Sequence, residues 1–589
     1  MRNRNGSSAV RGRSGGRRRL AGSVAAGWAA LAFATTMATV GWAQAPQTWK
    51  TTVTAALHDT SPTLATMIAK APPPPPPLTA AQRAARRAAF VARMKAEYAR
   101  EGKSWPGTPP IPDPVSPPPV AAGAAAVEQT EIGTRPAAAL VASFEGLGAD
   151  FRGPQGTAQF HNPSDNSLAV GPQQIVQVVN SRFAIYNKAG QAQYGPVATK
   201  TIFEGFQGAC GKTDFGDAVA RYDQLAQRWV FVLPIFRRPS KDPKAPYAMC
   251  YAVSATSNLL GSYYRYEFER PLFPDYPRLG VWRDGYYLGT SSGDTVIQKH
   301  ACVADRTAML RGAAASEQCA VIDGINFLNP ADVEGHQEPA KGEPELIFAA
   351  GGTQLHKIFD ADAIYYYRFH VDWKHPEKSR VTGPFEIAVA PYHYLCNGQL
   401  TSCVPQPGTE RRLDAQGDKL MQRVVYRRRG RQETIAAMQS VNTRGGGGGV
   451  RWYEMRLDRQ HLPTLEQQGT YAPGGGFRWM GSLGIDRKGD IAMGYSYGDA
   501  QHFAGQRLTG RLADDPRGQM TLGETILARG EAAQTGTVRW EDYTTLDLDP
   551  SDGCTFWYVG DYHQRGAKGY STRIGAIRLP GCENAGDRE

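Results

Sequence analysis

Residues 278–288 read Arg278-Leu-Gly-Val-Trp282-Arg-Asp284-Gly285-Tyr286-Tyr-Leu288. A short run of small and apolar residues meets an Asp-Gly dipeptide and turns back as an aromatic strand. Asp-Gly between apolar runs is hairpin chemistry, because both central residues of such a turn take positive φ. The phrase recurs. Ser167–Gly171 leads to Ile175–Asn180, and Ala218–Asp223 leads to Arg228–Val232. Thr434–Met438 leads to Val450–Tyr453, Ser482–Asp486 turns at Lys488-Gly489 into Ile491–Met493, and Tyr543–Asp547 turns at Asp552-Gly553 into Thr555–Tyr558. A further unit is expected around Leu346–Trp373. No stretch between 141 and 582 carries a long helical period. Six or seven units of about 50 to 70 residues predict an all-β fold, a six- or seven-bladed β-propeller over residues 141–582.

Upstream the texture changes. Residues 46–140 are rich in proline and alanine, with a proline run from Pro72 to Pro77 and a second proline-rich stretch from Pro106 to Pro119. They read as a stiff stalk carrying one helix over 79–101, capped by Thr79, with Phe90, Val91, Met94 and Tyr98 on one stripe. Ahead of the stalk, seven arginines fall within the first nineteen residues, followed by an uncharged Ala-rich segment that ends Ala43-Gln44-Ala45. A basic head, an apolar middle and small residues at the end predict a signal peptide over residues 1–45. The chain is then exported, to the periplasm, the cell surface or the medium, with no transmembrane span in the mature protein. Residues 583–589 read as a disordered tail.

The whole chain carries +11, and removing the seven leader arginines leaves 11 − 7 = +4. So small an excess over so long a chain gives no reason to expect nucleic acid. Cys210, Cys250, Cys302, Cys319, Cys396, Cys403, Cys554 and Cys582 all lie after the leader and contain no C-x-x-C. In an exported chain an even count reads as disulfides, and pairing of sequence neighbours would staple local strand-loop units.

Several catalytic motifs fail on context. Gly289-Thr-Ser-Ser-Gly293 has the G-x-S-x-G spacing but is followed by a strand, not a helix. Gly211-Lys212-Thr213 lacks the first glycine of a phosphate loop, and no H-E-x-x-H occurs. Asp547, Asp549, Asp552 and Gly553 echo a calcium loop with the wrong spacing, so no cofactor is expected, with Ca2+ the one ion to consider.

The informative feature is positional. Just before the expected inner strands stand Asp165, Asn166, Asp217, Asp275, Tyr276, Arg478, Trp479, Arg539, Trp540, Asp542 and Tyr543, with Arg278 close by. Inner strands of a propeller start at one end of the channel, so these residues would ring one mouth. Asp217, Asp275 and Asp542 are the candidate acid/base groups there, supported by Tyr276 and Tyr543. Asp165, Asn166, Arg278, Arg478, Trp479, Arg539 and Trp540 are the candidate substrate contacts. Aromatic faces stack on sugars, arginines hold carboxylates, and paired carboxylates cleave glycosidic bonds. The expected partner is an extracellular glycan or an envelope component, bound and cleaved by a hydrolase or lyase. The competing reading is a non-catalytic binding or scaffold protein, in which the same residues only tie blades together.

Asp165–Pro172, RYDQLAQRWV at 221–230, GSYYRYEF at 261–268, FPDYPRLGVW at 273–282 and RWEDYTTLDLDPSDGCTFWY at 539–558 resemble a group of large secreted bacterial proteins of uncharacterised function. The resemblance implies a sialidase-like or BNR-like propeller. Two departures stand out. Ser551–Trp557 is a compressed version of the sialidase Asp-box, and glutamines occupy 432 and 439, near which the resemblance places histidines.

Overall fold

The computed structural model describes residues 49–72, 79–100, 120–149, 151–158, 163–212, 216–235, 247–292, 298–352, 359, 361–398, 402–567 and 569–582. The expected leader and the terminal tail lie outside the described residues. Within them the chain is an all-β propeller of antiparallel sheets.

Four sheets stand separately. The first runs from Ser167–Val170 outward to Ala192–Ala198, the second from Val219–Asp223 to Tyr263–Arg270, and the third from Pro274–Val281 to Ser316–Val321. The fourth contains Thr545–Leu548, Thr555–Tyr562 and Ser571–Arg578, and its outermost strand is Ala139–Glu145 from the other end of the chain. Arg152–Gly153 with Gly156–Thr157, and Ser402–Gln406 with Thr409–Asp414, form two-stranded sheets, and the remaining sheet strands form one thirteen-stranded ladder. Six or seven separate blades are therefore not found. Parallel pairing of Ala331–Val333 with Val424–Tyr426, and of Gly448 with Phe477, joins units that the sequence rhythm keeps apart. Asn326–Val333, Val424–Arg429 and Phe477–Ile485 begin three antiparallel runs within that ladder.

Sequence explains why the innermost strands come so close. They are built of small and β-branched residues, and Gly280 is required as glycine because a Cβ there would lie 2.5 Å from the Ala331 carbonyl oxygen of the neighbouring run. Innermost strands touch one another in a closed circle. Apolar side chains between the sheets form the core, including Trp229, Phe231, Tyr263, Trp282, Trp452 and Trp479, each at most 2 % exposed.

The expected stalk over 46–140 is corrected. Trp49–Thr54 pairs with Ser316–Val321 as a fifth strand of the third sheet, and Leu57–Thr60 pairs with Tyr263–Arg270 as a fifth strand of the second. Thr63 caps the helix Leu64–Lys70, whose Leu64, Met67 and Ile68 are buried against Phe203, Phe206 and Trp229. Farther on, Glu128–Gln129 pairs with Thr470–Tyr471. The first strand carries the β-formers Thr52 and Val53, both half-buried, which the proline-rich composition around them conceals. The helix Ala80–Arg100 begins in a capping box, with Gln82 N donating to Thr79 Oγ1 at 3.2 Å and Thr79 N donating to Gln82 Oε1 at 2.8 Å.

The cysteines pair as sequence neighbours: 210–250, 302–319, 396–403 and 554–582. Among the described residues no helix is long and apolar enough to cross a membrane.

Candidate functional site

The innermost strands are approached through non-glycine residues held at positive φ: Asp165 (47°), Asp217 (62°), Tyr276 (56°), Phe327 (49°), Gln416 (46°), Met480 (48°) and Asp542 (82°). Each such residue costs of order 1–3 kcal/mol and persists only where its surroundings hold it there. At Tyr276, Phe327 and Met480 the strand register also shifts, so the chain bulges at the mouth of the channel.

Four of the sequence-selected acids meet at this mouth. Asp217 accepts a hydrogen bond from Tyr543 Oη at 3.0 Å. Its carboxylate is in hydrogen-bond contact with those of both Asp165 and Asp275. Burial, then repulsion from Asp542, lifts Asp217 to a pKa of about 6. Asp165 and Asp275 are pushed well above the usual carboxylate range, first by burial and then by Asp217. Like charges this close do not all ionise freely. Asp165 also accepts from Asn180 Nδ2, and its Oδ1, on a residue 2 % exposed, has no donor.

Asp542 stands beside the trio, next to Glu541, whose carbonyl accepts from Asp165 N at 2.9 Å. Arg539 Nη2 pairs with Asp542 Oδ2 and Gln416 Nε2 donates to Asp542 Oδ1 at 3.0 Å. Tyr276 Oη donates to the Asp542 carbonyl at 2.7 Å, and the Tyr276 and Tyr543 rings lie 4.4 Å apart. Arg278 sits against the Tyr276 ring at 4.9 Å, donates through Nη1 to Asn329 Oδ1 at 2.5 Å, and has no partner for Nε or Nη2. Burial pushes both tyrosines well above their ordinary pKa.

The remaining candidates do different work. Asn166 is buried, donating to Asp561 Oδ1 at 2.7 Å and accepting from Gln177 at 3.0 Å. Arg478 is spent on Glu524 at 2.9 Å and on the carbonyls of Pro473 and Gly475. Trp479 and Trp540 pack on each other 6.1 Å apart in the core, with Trp540 Nε1 bonded to Ser496 Oγ. These four are buried and tied to neighbouring strands. The register of Phe477–Ile485 against Ile491–Gly498 shifts just after Arg478 and Trp479.

Sequence reasoning missed Gln416, Lys419, Asp414 and Phe327. Lys419 is fully buried, 2.7 Å from Asp418, 2.5 Å from Gln416 Oε1 and 4.4 Å from the Phe327 ring centre. Asp414 is lifted to about 6, chiefly by burial. Three of the four sit on an insertion between strands that carries none of the repeating phrase, so only the local density of Asp, Gln and Lys could have signalled them.

Farther along the innermost strands lies a second, buried set of charges, the floor. Arg423 donates to Asp332 at 2.7 Å, Glu334 at 2.9 Å and Asp547 at 3.2 Å, and Arg221 reaches Asp332 at 3.2 Å. The same carboxylates accept the backbone N–H groups of Val170, Val281 and Ile485. All five side chains are buried. The mouth is thus a bowl with a charged floor.

The calcium-like loop resolves into a hairpin. Asp547 serves the floor, Asp549 accepts from Lys188 and Trp557, and Asp552 accepts from Cys554 N, Thr555 N and Arg578. Gln439 is fully buried with Nε2 on Tyr453 Oη at 2.8 Å, and Gln432 is exposed beside the Arg429–Gln432 turn.

No family model matches the chain, and no curated protein matches it. Among solved structures it is similar to an ulvan lyase described as a new family of polysaccharide lyase, at 10% identity and a TM-score of 0.34, over 74% of this chain and 95% of that one. It is also similar to a protein of unknown function from Dyadobacter fermentans, at 10% identity and TM-score 0.28, over 75% and 100% of the two chains. A β-1,3-galactosidase matches at 8% identity and TM-score 0.26, over 78% and 97%.

Proposed function

We propose that this chain is a seven-bladed propeller of an oxidising, extracytoplasmic compartment that binds and hydrolyses a glycan at its channel mouth. The observation that carries the reading is Asp217, held by Tyr543 between two further carboxylates and within electrostatic reach of the Arg539-clamped Asp542. The closed circle of innermost strands supports the blade count, with the long ladder taken as three blades joined at their edges. Four paired disulfides and no free cysteine support the compartment.

Glycoside hydrolysis needs a proton donor for the leaving oxygen and a second carboxylate for water or the sugar. Asp217, at about 6, is poised to donate. Its proton goes to the glycosidic oxygen as the C–O bond breaks. Water adds to the anomeric carbon and gives its proton to the Asp542 carboxylate. The tyrosines support this route over elimination: both are held well above their usual pKa, so neither offers a phenolate base at neutral pH. They serve as donors and as a stacking wall.

The test is a glycan panel scored for new reducing ends and for the ultraviolet absorbance of unsaturated uronates, with wild type beside Asp217→Asn. Reducing ends without that absorbance, lost in the variant and declining as pH rises through about 6, are the expected result. Unsaturated product would replace hydrolysis with elimination. Binding without any product would make the chain a glycan-binding module.

A further inference from the structure

Charge at the mouth is unevenly matched. Asp165, Asp217, Asp275, Asp414, Asp418 and Asp542 gather there against Arg278, Lys419 and Arg539, twice as many acids as cations. Two of the three cations are already committed to carboxylates. Arg539 spans Asp542 and Asp414, and Lys419 is held by Asp418 and Gln416. Arg278 is covered by the rings of Tyr276, Phe327 and Tyr543. The acids are less satisfied. Asp217 and Asp275 are half-buried at the solvent side, and buried Asp165 keeps one oxygen without a donor while its carboxylate touches that of Asp217.

From this imbalance we propose that the mouth selects a glycan bearing protonated amines, a polymer of de-N-acetylated amino sugars, over uronate or sulfated polymers. The inference rests on the glycan reading above and names its substrate class. An ammonium group placed among Asp165, Asp217 and Asp275 relieves carboxylate repulsion and gains charge-assisted hydrogen bonds. A polyanion meets the reverse, because Arg539 is held by Asp542 and Asp414, and Arg278, although its Nε and Nη2 lack partners, is buried behind three aromatic rings. The aromatic wall suits an organic cation, and Arg278 and Lys419 already lie on its rings at 4.8–4.9 Å from the Tyr276 centre. A divalent metal ion fits less well. Among the described residues, the only group of three such side chains with ligand atoms all within 4.8 Å of one another is Cys302, Glu317 and Cys319, and its two cysteines are joined to each other.

The experiment is titration calorimetry of the mature protein at pH 6 with three hexasaccharides: glucosamine, N-acetylglucosamine and galacturonate. CaCl2 and MgCl2 alone form separate arms, and Asp217→Asn/Asp275→Asn is measured in parallel. Glucosamine oligomer is expected to bind about tenfold or more tighter than its acetylated counterpart. Its binding should weaken with added salt and fall to the acetylated level in the double variant. A stable double variant that still binds the cationic oligomer normally would place that binding elsewhere and overturn the proposal. Equal affinity for acetylated and free amines, or preference for galacturonate, with either lost in the variant, overturns the selectivity and leaves the glycan site standing. No saccharide binding overturns both. Tight binding of either metal that displaces the amine would make the acids a metal site instead.

Discussion

Two clusters of buried charge share the central channel and differ in how they are finished. On the floor, Arg221 and Arg423 are interleaved with Asp332, Glu334 and Asp547, and backbone N–H groups from neighbouring inner strands take up the remaining carboxylate oxygens. At the mouth, Asp165, Asp217 and Asp275 press on one another, and Asp165 and Arg278 keep unsatisfied polar atoms. Every carboxylate oxygen of the floor has a donor, although Arg221 Nη2 has no partner. A network matched in this way holds a single geometry and becomes costly when broken. An unsaturated one is costly as it stands, and a ligand or a proton can relieve it. The matched and the strained cluster thus sit on the same ring of innermost strands.

That contrast breaks first at the floor. Arg423→Met should cost about 3–5 kcal/mol in urea unfolding, since three buried carboxylates lose their shared cation. A loss below about 1 kcal/mol would mean the floor is not a clamp. At the mouth, Asp217→Asn should reduce cleavage about a hundredfold to a thousandfold while raising stability. The sign follows from a folded pKa of about 6 against an ordinary 3.8. The protonated group's favourable contribution is complete below 3.8 and is lost as pH rises through about 6. The variant should therefore match wild type near pH 4 and melt higher than wild type at pH 8. A lower melting temperature at pH 8 would place Asp217 with the floor residues.

Smaller effects sharpen the contrast. Asp59→Ala removes the carboxylate that both Arg265 nitrogens reach at 2.6–2.7 Å, and leaves Arg265 bonded to the Ile202 and Glu204 carbonyls. A loss of about 1 kcal/mol in denaturant unfolding is expected, with cleavage unchanged. Smallest of all, Tyr543→Phe deletes a hydrogen bond that lowers the Asp217 pKa. The midpoint of the pH–rate curve should move upward by less than one unit. A downward move would show that Tyr543 acts on some other group.

How much of this was written in the sequence differs from element to element. The repeating phrase around Asp284-Gly285 announced an all-β radial fold, because turn dipeptides and strand alternation are local properties. Asp165, Asp217, Asp275 and Asp542 were found by position alone, just ahead of inner strands. The same positional rule also picked out Trp479 and Trp540, which pack on each other in the core, and the register shift just after Trp479 is invisible in residue type. Lys419 and Gln416 escaped notice because they arrive on an insertion that has no counterpart in the other units. The strands at 49–60 were hidden for another reason: their partners lie at 263–270 and 316–321, and no local signal reports so distant a pairing.

Those distant pairings give the molecule a direction in time. Ala139–Glu145 completes the sheet of Ser571–Arg578, so Glu145 is synthesised 428 residues before the Arg573 it pairs with. The earliest strands must wait, edges unpaired, until the latest arrive. Such long-range closure makes folding slow and exposes sticky edges meanwhile. Once the final strand docks, however, neither end can peel away without opening a sheet that belongs to both.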